Sequence, residues 1–139
     1  MEEVIAAGDG LDEVWCVMRD IHVKFDTPAP DEPVLMSPNA VNRRAEWIQE
    51  EVDELLEAET IEEQTDAWID IIVFAVGGLV EQGVVPGPIM SIVLKSQYDK
   101  LWEDGQPRFR ADGKWIKPPT WTDPKPLIEA EIKRQIDEN

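Results

Sequence analysis

Hydrophobic residues recur through most of this chain at steps of three and four positions, which is the period of one face of an α-helix. The steps are clearest from Leu11 to Phe25 and from Val41 to Leu55. Between these stretches, Pro28, Pro30 and Pro33 predict a loop, because proline lacks the amide hydrogen that a helix requires. The whole pattern predicts five helices, over residues 11–25, 37–55, 60–82, 88–102 and 127–137.

Local residue types predict where the central helices begin and end. Ser37 offers a capping hydroxyl ahead of a proline at the first helical position, and Thr60 with Glu63 fits a capping box. Gly83 suits the C-terminal stop of the third helix. We therefore predict a single all-α domain over residues 1–139, an antiparallel helical bundle with an irregular Pro-rich segment at 104–126 and a short C-terminal helix.

The 139 residues carry a net charge of −17, which narrows the possible partners. So acidic a chain disfavours contact with a nucleic-acid backbone, but it allows cation binding or mimicry of a polyanion. The single cysteine, Cys16, cannot form an internal disulfide, and we expect it to be buried and inert. The sequence shows neither a basic leader nor an apolar run long enough for a bilayer, so we expect a cytoplasmic protein without membrane or nucleic-acid partners.

Asp70 needs an explanation, because it lies inside the apolar run that extends from Ile69 to Val76. A buried carboxylate without a partner is strongly unfavourable. The preceding helix carries Glu51 and Glu54 beside its apolar face, and Asp66 stands one turn before Asp70. Antiparallel packing would bring these four carboxylates together, and Mg²⁺ or Mn²⁺ is a counter-charge that suits such oxygen ligands.

Simpler roles stay open for the same acids. Asp66 lies early in its helix, where the helix dipole stabilises a negative charge. Asp70 would also be neutralised by an ion pair with Arg44 or Lys95. Stretches of the form Glu-Glu-x-x-Glu are common on solvated helix faces, so Glu50, Glu51 and Glu54 do not by themselves indicate a metal site.

Several motifs resemble those of the all-α NTP pyrophosphohydrolases, which are the MazG-like and phosphoribosyl-ATP-pyrophosphohydrolase-like proteins. The motifs also follow one another along the chain in the order typical of that family. The likeness covers roughly residues 14–121 and rests on order and spacing more than on any one motif. The acidic stretch from Glu50 to Glu54, followed by Asp66 to Asp70, corresponds to the family's paired acidic motifs. The other matching elements are Ile21-His22, the proline-rich loop 28–33, Arg44, the segment Lys95-Ser96-Gln97-Tyr98-Asp99-Lys100, and Asp112-Gly113-Lys114-Trp115-Ile116-Lys117-Pro118.

The resemblance implies a MazG-like four-helix core that assembles as a homodimer or homotetramer. It also implies Mg²⁺-dependent hydrolysis of a nucleoside triphosphate substrate to the monophosphate and pyrophosphate. This chain departs from the family pattern at two positions. The second acidic motif is typically Glu-x-x-Asp, which would place an acid at Ala67 instead of Asp66, and Gln97 stands where such proteins often have asparagine. Asp66 and Asp70 still share a helix face, so metal ligation survives the shift.

Within the implied reaction, the charged side chains take distinct predicted roles. The predicted metal ligands are Glu51, Glu54, Asp66 and Asp70, and a carboxylate that the metal does not fully occupy, Glu50 or Glu54, would accept the proton of the attacking water. Lysines would stabilise charge on the leaving pyrophosphate. The predicted substrate-binding residues are His22, Arg44, Trp47, Lys95, Gln97, Lys100, Lys114 and Lys117. For His22 and Trp47, packing in the core is the competing interpretation.

Two other classes of function stay open on sequence alone. The acidic surface would serve a non-enzymatic binding protein such as a DNA mimic, and the helices would serve an oligomerisation module. Mimicry requires acids spread over an exposed surface, which an aspartate among isoleucines does not provide. The nucleotide is open as well: housecleaning of non-standard nucleotides, hydrolysis of dUTP or dCTP, and a histidine-pathway-like step are all compatible with these residues.

Overall fold

The computed structural model describes residues 2–138, and these residues fold into five α-helices joined by loops. The helices are α1 (Glu2–Lys24), α2 (Pro38–Glu57), α3 (Ile61–Glu81), α4 (Gly87–Tyr98) and α5 (Lys125–Asp137). Among the described residues, β-type pairing is limited to one isolated bridge between Phe109 and Trp115. The all-α fold class is therefore confirmed.

Helices α2 and α3 begin at the predicted capping residues. The Ser37 hydroxyl accepts a hydrogen bond from the Ala40 amide at 3.2 Å, and the Thr60 hydroxyl accepts one from the Glu63 amide at 3.1 Å. The Glu63 carboxylate accepts in turn from the Glu59 amide at 3.3 Å, one residue earlier than a capping box predicts. These bonds satisfy amides that have no partner within the helix.

Several helix ends differ from the sequence prediction: α1 begins at Glu2, nine residues before the predicted start at residue 11, and α2 ends at Glu57, two residues after its predicted end. Helix α4 stops at Tyr98, four residues early, because the Lys100 amide bonds to the Gln97 carbonyl, three residues back, at 3.1 Å. Bonds of this span tighten the chain into a turn. Helix α5 begins at Lys125, two residues early, since Pro126 lies in the first turn, where it has no intrahelical amide bond to lose.

The described residues divide into two compact units, Glu13–Val85 and residues 2–12 with Pro86–Glu138. The unit Glu13–Val85 contains α2 and α3, which pack against each other and are joined by residues 58–60. The pair is antiparallel as predicted, because Arg44 near the start of α2 meets Glu81 at the end of α3. The prediction of a single domain over 1–139 stays a prediction.

A buried ion pair holds the open end of the α2–α3 pair. Arg44 Nη2 and Nε donate to Glu81 Oε1 at 2.8 and 3.1 Å, and each residue is only 8% exposed. Arg44 Nη1 donates to the Phe74 carbonyl at 3.2 Å. A Cβ placed on Gly77 would approach Arg44 Nη1 to 2.6 Å, so this glycine inside a helix makes room for the guanidinium.

In the unit of residues 2–12 and Pro86–Glu138, side chains tie distant segments to the ends of α4. The Asp12 carboxylate accepts from the Gly87 amide at 2.6 Å, and partial burial raises the pKa of Asp12 above its ordinary value. Helices α4 and α5 pack together, and Trp121 Nε1 donates to the Ser96 carbonyl at 2.9 Å. Both ends of α4 are thereby held in place.

The irregular segment between α4 and α5 contains a small hairpin over residues 108–116. The Ile116 amide donates to the Arg108 carbonyl, and the Arg110 amide donates to the Lys114 carbonyl, both at 2.8 Å. Gly113 takes a φ of +87° in the turn, a conformation that favours glycine. The predicted irregular segment thus has local order set by its turn residues.

Apolar side chains in α1 and directly after it are more exposed than the sequence predicted. Ile21 and Phe25, on the expected buried face, are 41% and 76% exposed. Cys16, expected to be buried, is also exposed, so that prediction is wrong. Within residues 2–138, none of the helices combines the length and hydrophobicity that crossing a bilayer requires.

Candidate functional site

Four acidic side chains come together where α2 ends and α3 begins. Glu51 and Glu54 lie on the last turns of α2, whereas Asp66 and Asp70 lie one turn apart in the first half of α3. Glu51 and Asp70 are half-buried, and Glu54 and Asp66 are exposed. The charges of Glu54, Asp70 and Asp66 all act on Glu51. The structure therefore brings the four carboxylates that were predicted as metal ligands into one region.

Glu51 occupies the least favourable position in this group. Its Oε2 is shielded from solvent and has no hydrogen-bond partner among the described residues. Desolvation is the largest cause that raises the pKa of Glu51 to about 7, followed by a hydrogen bond with Glu54 and by the charges of Glu54, Asp70 and Asp66. A cation that binds at this position would stabilise the ionised form of this carboxyl group.

The raised pKa of Glu51 predicts that the metal-free protein loses stability between about pH 4.5 and pH 7. Because the folded state binds this proton more tightly than the unfolded chain, the contribution is fully present below the ordinary value of 4.5 and is lost as pH rises through about 7. Urea unfolding in a chelator measures it as the difference between wild type and Glu51→Gln. A difference that stays constant over this range, or that matches the one for exposed Glu46→Gln, would contradict the shift.

Within the described residues, no cationic side chain neutralises the four carboxylates. Arg44 and Lys95, the two cations considered for Asp70, are engaged with other acids: Arg44 pairs with Glu81, and Lys95 pairs with Asp99 at 2.9 Å. Asp70 remains half-buried without a hydrogen-bond donor from the described chain. Its charge is left for a ligand to compensate.

A groove of about 330 Å³ opens between these helices and is lined by acids alone, Glu54, Glu57, Glu63 and Asp66. The sequence analysis gave Glu63 only a capping role and assigned no role to Glu57, so it missed both as groove residues. Their spacing carried the necessary signal, because Glu57 lies three residues after Glu54 and Glu63 three residues before Asp66.

The donor chemistry of this region fits a hard divalent cation. Carboxylate oxygens are the ligands that Mg²⁺ and Mn²⁺ prefer, and the orphaned Oε2 of Glu51 is a buried oxygen that a cation would satisfy. Among residues 2–138, no three His, Cys, Asp or Glu side chains form a ready-made metal cage. Mg²⁺ does not need one, since it usually takes one or two protein carboxylates and completes its shell with water and phosphate oxygens.

The other predicted residues of the unit Glu13–Val85 are held largely by internal contacts. His22 is buried, and its Nδ1 donates to the Pro28 carbonyl at 3.0 Å. The Trp47 ring lies 5.8 Å from that of Phe74, with the Arg44 guanidinium 5.5 Å from its centroid. These contacts favour structural roles for His22, Trp47 and Arg44, whereas Glu50 is exposed and free to act.

The predicted basic residues lie in the unit of residues 2–12 and Pro86–Glu138. Lys95 is exposed and ion-paired, and Lys100 Nζ donates to Gln97 Oε1 at 2.8 Å. Lys114 is exposed on the turn of the 108–116 hairpin, and Lys117 Nζ lies 4.2 Å from the centroid of a tryptophan ring, that of Trp121. Lys100 and Lys117 have no carboxylate partner among the described residues, and Lys114 forms no ion pair there, although its charge acts on Asp112. All three lysines can still bind an anion.

Comparison with known proteins places these features in a family. Residues 18–97, more than half of the chain, match the sequence profile described as phosphoribosyl-ATP pyrophosphohydrolase. A solved structure of a candidate NTP pyrophosphohydrolase from Exiguobacterium sp. 255-15 is 29% identical, with a TM-score of 0.50 over 86% of this chain and 93% of that one. No functionally curated protein matches significantly. The chain therefore belongs to the phosphoribosyl-ATP pyrophosphohydrolase family and is, at that level, a hydrolase of phosphoric anhydride bonds.

Proposed function

We propose that this protein is a divalent-cation-dependent nucleoside triphosphate pyrophosphohydrolase that releases a nucleoside monophosphate and pyrophosphate. Family membership supports anhydride hydrolysis, and the similar Exiguobacterium structure is described as a candidate NTP pyrophosphohydrolase. The observation that carries the proposal is Glu51, a half-buried carboxylate beside three others, with no cationic side chain among the described residues to balance them. The divalent cation that arrives with a triphosphate would supply the missing positive charge.

Glu51, Glu54, Asp66 and Asp70 are the residues that would hold the cation, with Mg²⁺ as the first choice and Mn²⁺ as an alternative. When bound, such an ion neutralises phosphate charge and lowers the pKa of water. The half-buried pair, Glu51 and Asp70, anchors the acidic cluster on α2 and α3. The exposed pair, Glu54 and Asp66, faces the solvent side from which a nucleotide would arrive.

Side chains of this protein would accept the proton of the water and stabilise the leaving group. The oxygen of the attacking water forms a bond to phosphorus at the α–β anhydride link, and the bond from that phosphorus to its bridging oxygen breaks. Glu50 or Glu54 accepts the proton of the water. Lys95, Lys100, Lys114 and Lys117 are proposed to stabilise the charge that develops on pyrophosphate.

We further propose that the chain works as a homodimer or homotetramer. Helix α3 leaves Trp68 56%, Ile69 52% and Ile72 50% exposed, and Phe25 near the end of α1 is 76% exposed. Large apolar side chains clustered on a surface are typical of protein interfaces. A second copy of this chain would cover them and would account for an α3 that is apolar on several sides.

A nucleotide panel tests the proposed activity. With Mg²⁺ or Mn²⁺, at least one nucleoside triphosphate should give pyrophosphate and the monophosphate in equal amounts, and a chelator should stop the reaction. Asp66→Asn should lower the rate less than Asp70→Asn does, because Asp66 is exposed and stands one position from the family's usual acid. Release of orthophosphate in place of pyrophosphate, or no product from any nucleotide, would contradict the proposal.

A further inference from the structure

A cavity of about 500 Å³ lies between α4 and the 108–116 hairpin. Leu94, Leu101 and Pro107 form its apolar wall, and the rings of Tyr98 and Trp115 border it. Trp115 is 51% exposed and Tyr98 67% exposed, so both rings are accessible to a ligand. A flat aromatic surface beside an apolar wall suits a small planar molecule.

The backbone on either side of Trp115 is held by hydrogen bonds. The backbone of Trp115 bridges to that of Phe109, and the neighbouring Ile116 amide donates to the Arg108 carbonyl at 2.8 Å. Trp102 Nε1 donates to the Ile116 carbonyl at 3.1 Å. Because the hairpin is tied on both sides of Trp115, little ordering is needed before a ring can stack there.

Among the polar side chains of the cavity, the Tyr98 hydroxyl can donate or accept, whereas Gln97 and Lys100 form a hydrogen-bonded pair whose uncommitted groups are mainly donors. Lys100 Nζ donates to Gln97 Oε1 at 2.8 Å, and since an ammonium has no acceptor, the amide oxygen must face it. The Gln97 NH₂ group and the remaining ammonium hydrogens are then available to donate to a ligand. The ammonium lies over the Trp115 ring, 5.9 Å from its centroid, so the ring and these donors line the same cavity.

We infer that this cavity binds a nucleobase, and that it selects a base with a ring carbonyl over adenine. A base stacked on Trp115 would present its carbonyl oxygen to the amide donors of Gln97, whose own oxygen faces Lys100. Adenine presents an amino group at the corresponding edge, which leaves donors facing a donor.

Inosine and adenosine are matched probes, because one carries a carbonyl and the other an amino group at the same ring position. Calorimetric titration to millimolar nucleoside in a chelator should give about tenfold tighter binding of inosine. Trp115→Leu should weaken both nucleosides by about tenfold, through loss of stacking. Gln97→Glu should abolish the preference, because an acceptor replaces the donor. Phe109→Leu, in the same hairpin but outside the cavity, should change neither affinity.

Three results would overturn the inference. They are equal affinity for the two nucleosides, binding that Trp115→Leu leaves intact, and competition by inorganic phosphate without detectable nucleoside binding. Glu51→Gln separates this inference from the proposed function, because it should leave inosine binding unchanged while lowering pyrophosphate release. Nucleoside binding without hydrolysis would refute the proposed function alone, and hydrolysis without nucleoside binding would refute this inference alone.

Discussion

Glu51→Gln should lower metal-dependent pyrophosphate release by about a thousandfold, a loss of roughly 4 kcal/mol in transition-state stabilisation. The substitution keeps the size of the side chain but removes the charge that a divalent cation would balance. The same variant should make the metal-free protein more stable at pH 7, because the amide never has to ionise beside Glu54, Asp66 and Asp70. Steady-state kinetics and urea unfolding measure the two effects.

Opposite changes in activity and stability distinguish this account from damage to the fold. A variant that merely disrupts packing would lose both together. Glu46→Gln, an exposed neutralisation on the same helix, should leave both unchanged and serves as the matched control. Full activity of Glu51→Gln in Mg²⁺ would refute the role of this residue.

Arg44→Met should destabilise the protein by about 3–5 kcal/mol, the range found when one partner of a buried ion pair is removed. The change strands the Glu81 carboxylate, which is only 8% exposed and receives two hydrogen bonds from Arg44. The melting temperature should fall by about 10–17 °C. Calorimetry measures this fall, and urea unfolding measures the loss of free energy.

The neighbouring residue provides the control for this prediction. Arg43 is exposed, and Arg43→Met should change stability by less than about 0.5 kcal/mol. Adding Glu81→Leu to Arg44→Met should recover most of the loss, because neither charge is then left buried. If Arg44→Met keeps wild-type stability but loses activity, Arg44 contacts substrate instead of holding the helices.

The α2–α3 pair could be predicted because its determinants are local. Ser37 and Thr60 cap the helices by reaching three residues ahead, and the short connection leaves antiparallel packing as the simple solution. Once that packing is given, the spacing of Glu51 and Asp70 brings their carboxylates to one side. The sequence therefore indicated both the helix pair and its acidic cluster.

Contacts between residues that are far apart in the sequence could not be predicted from local patterns. Arg44 and Glu81 are 37 positions apart, and nothing local chooses Glu81 over Asp70 as the partner. The cavity at Trp115 depends on how a hairpin docks on α4, which periodicity does not describe. The exposure of Phe25 was missed because periodicity identifies an apolar face but does not say what covers it.

Measuring Mn²⁺ binding to wild type and to Asp70→Asn tests the central claim most directly. The electron paramagnetic resonance signal of Mn²⁺ in solution reports how much of the ion stays unbound. The claim is that carboxylates of α2 and α3 share one divalent cation. It predicts at least about tenfold weaker binding in Asp70→Asn, and wild-type binding in Glu62→Gln, an exposed neutralisation on the same helix. Equal Mn²⁺ affinity in wild type and Asp70→Asn would contradict it.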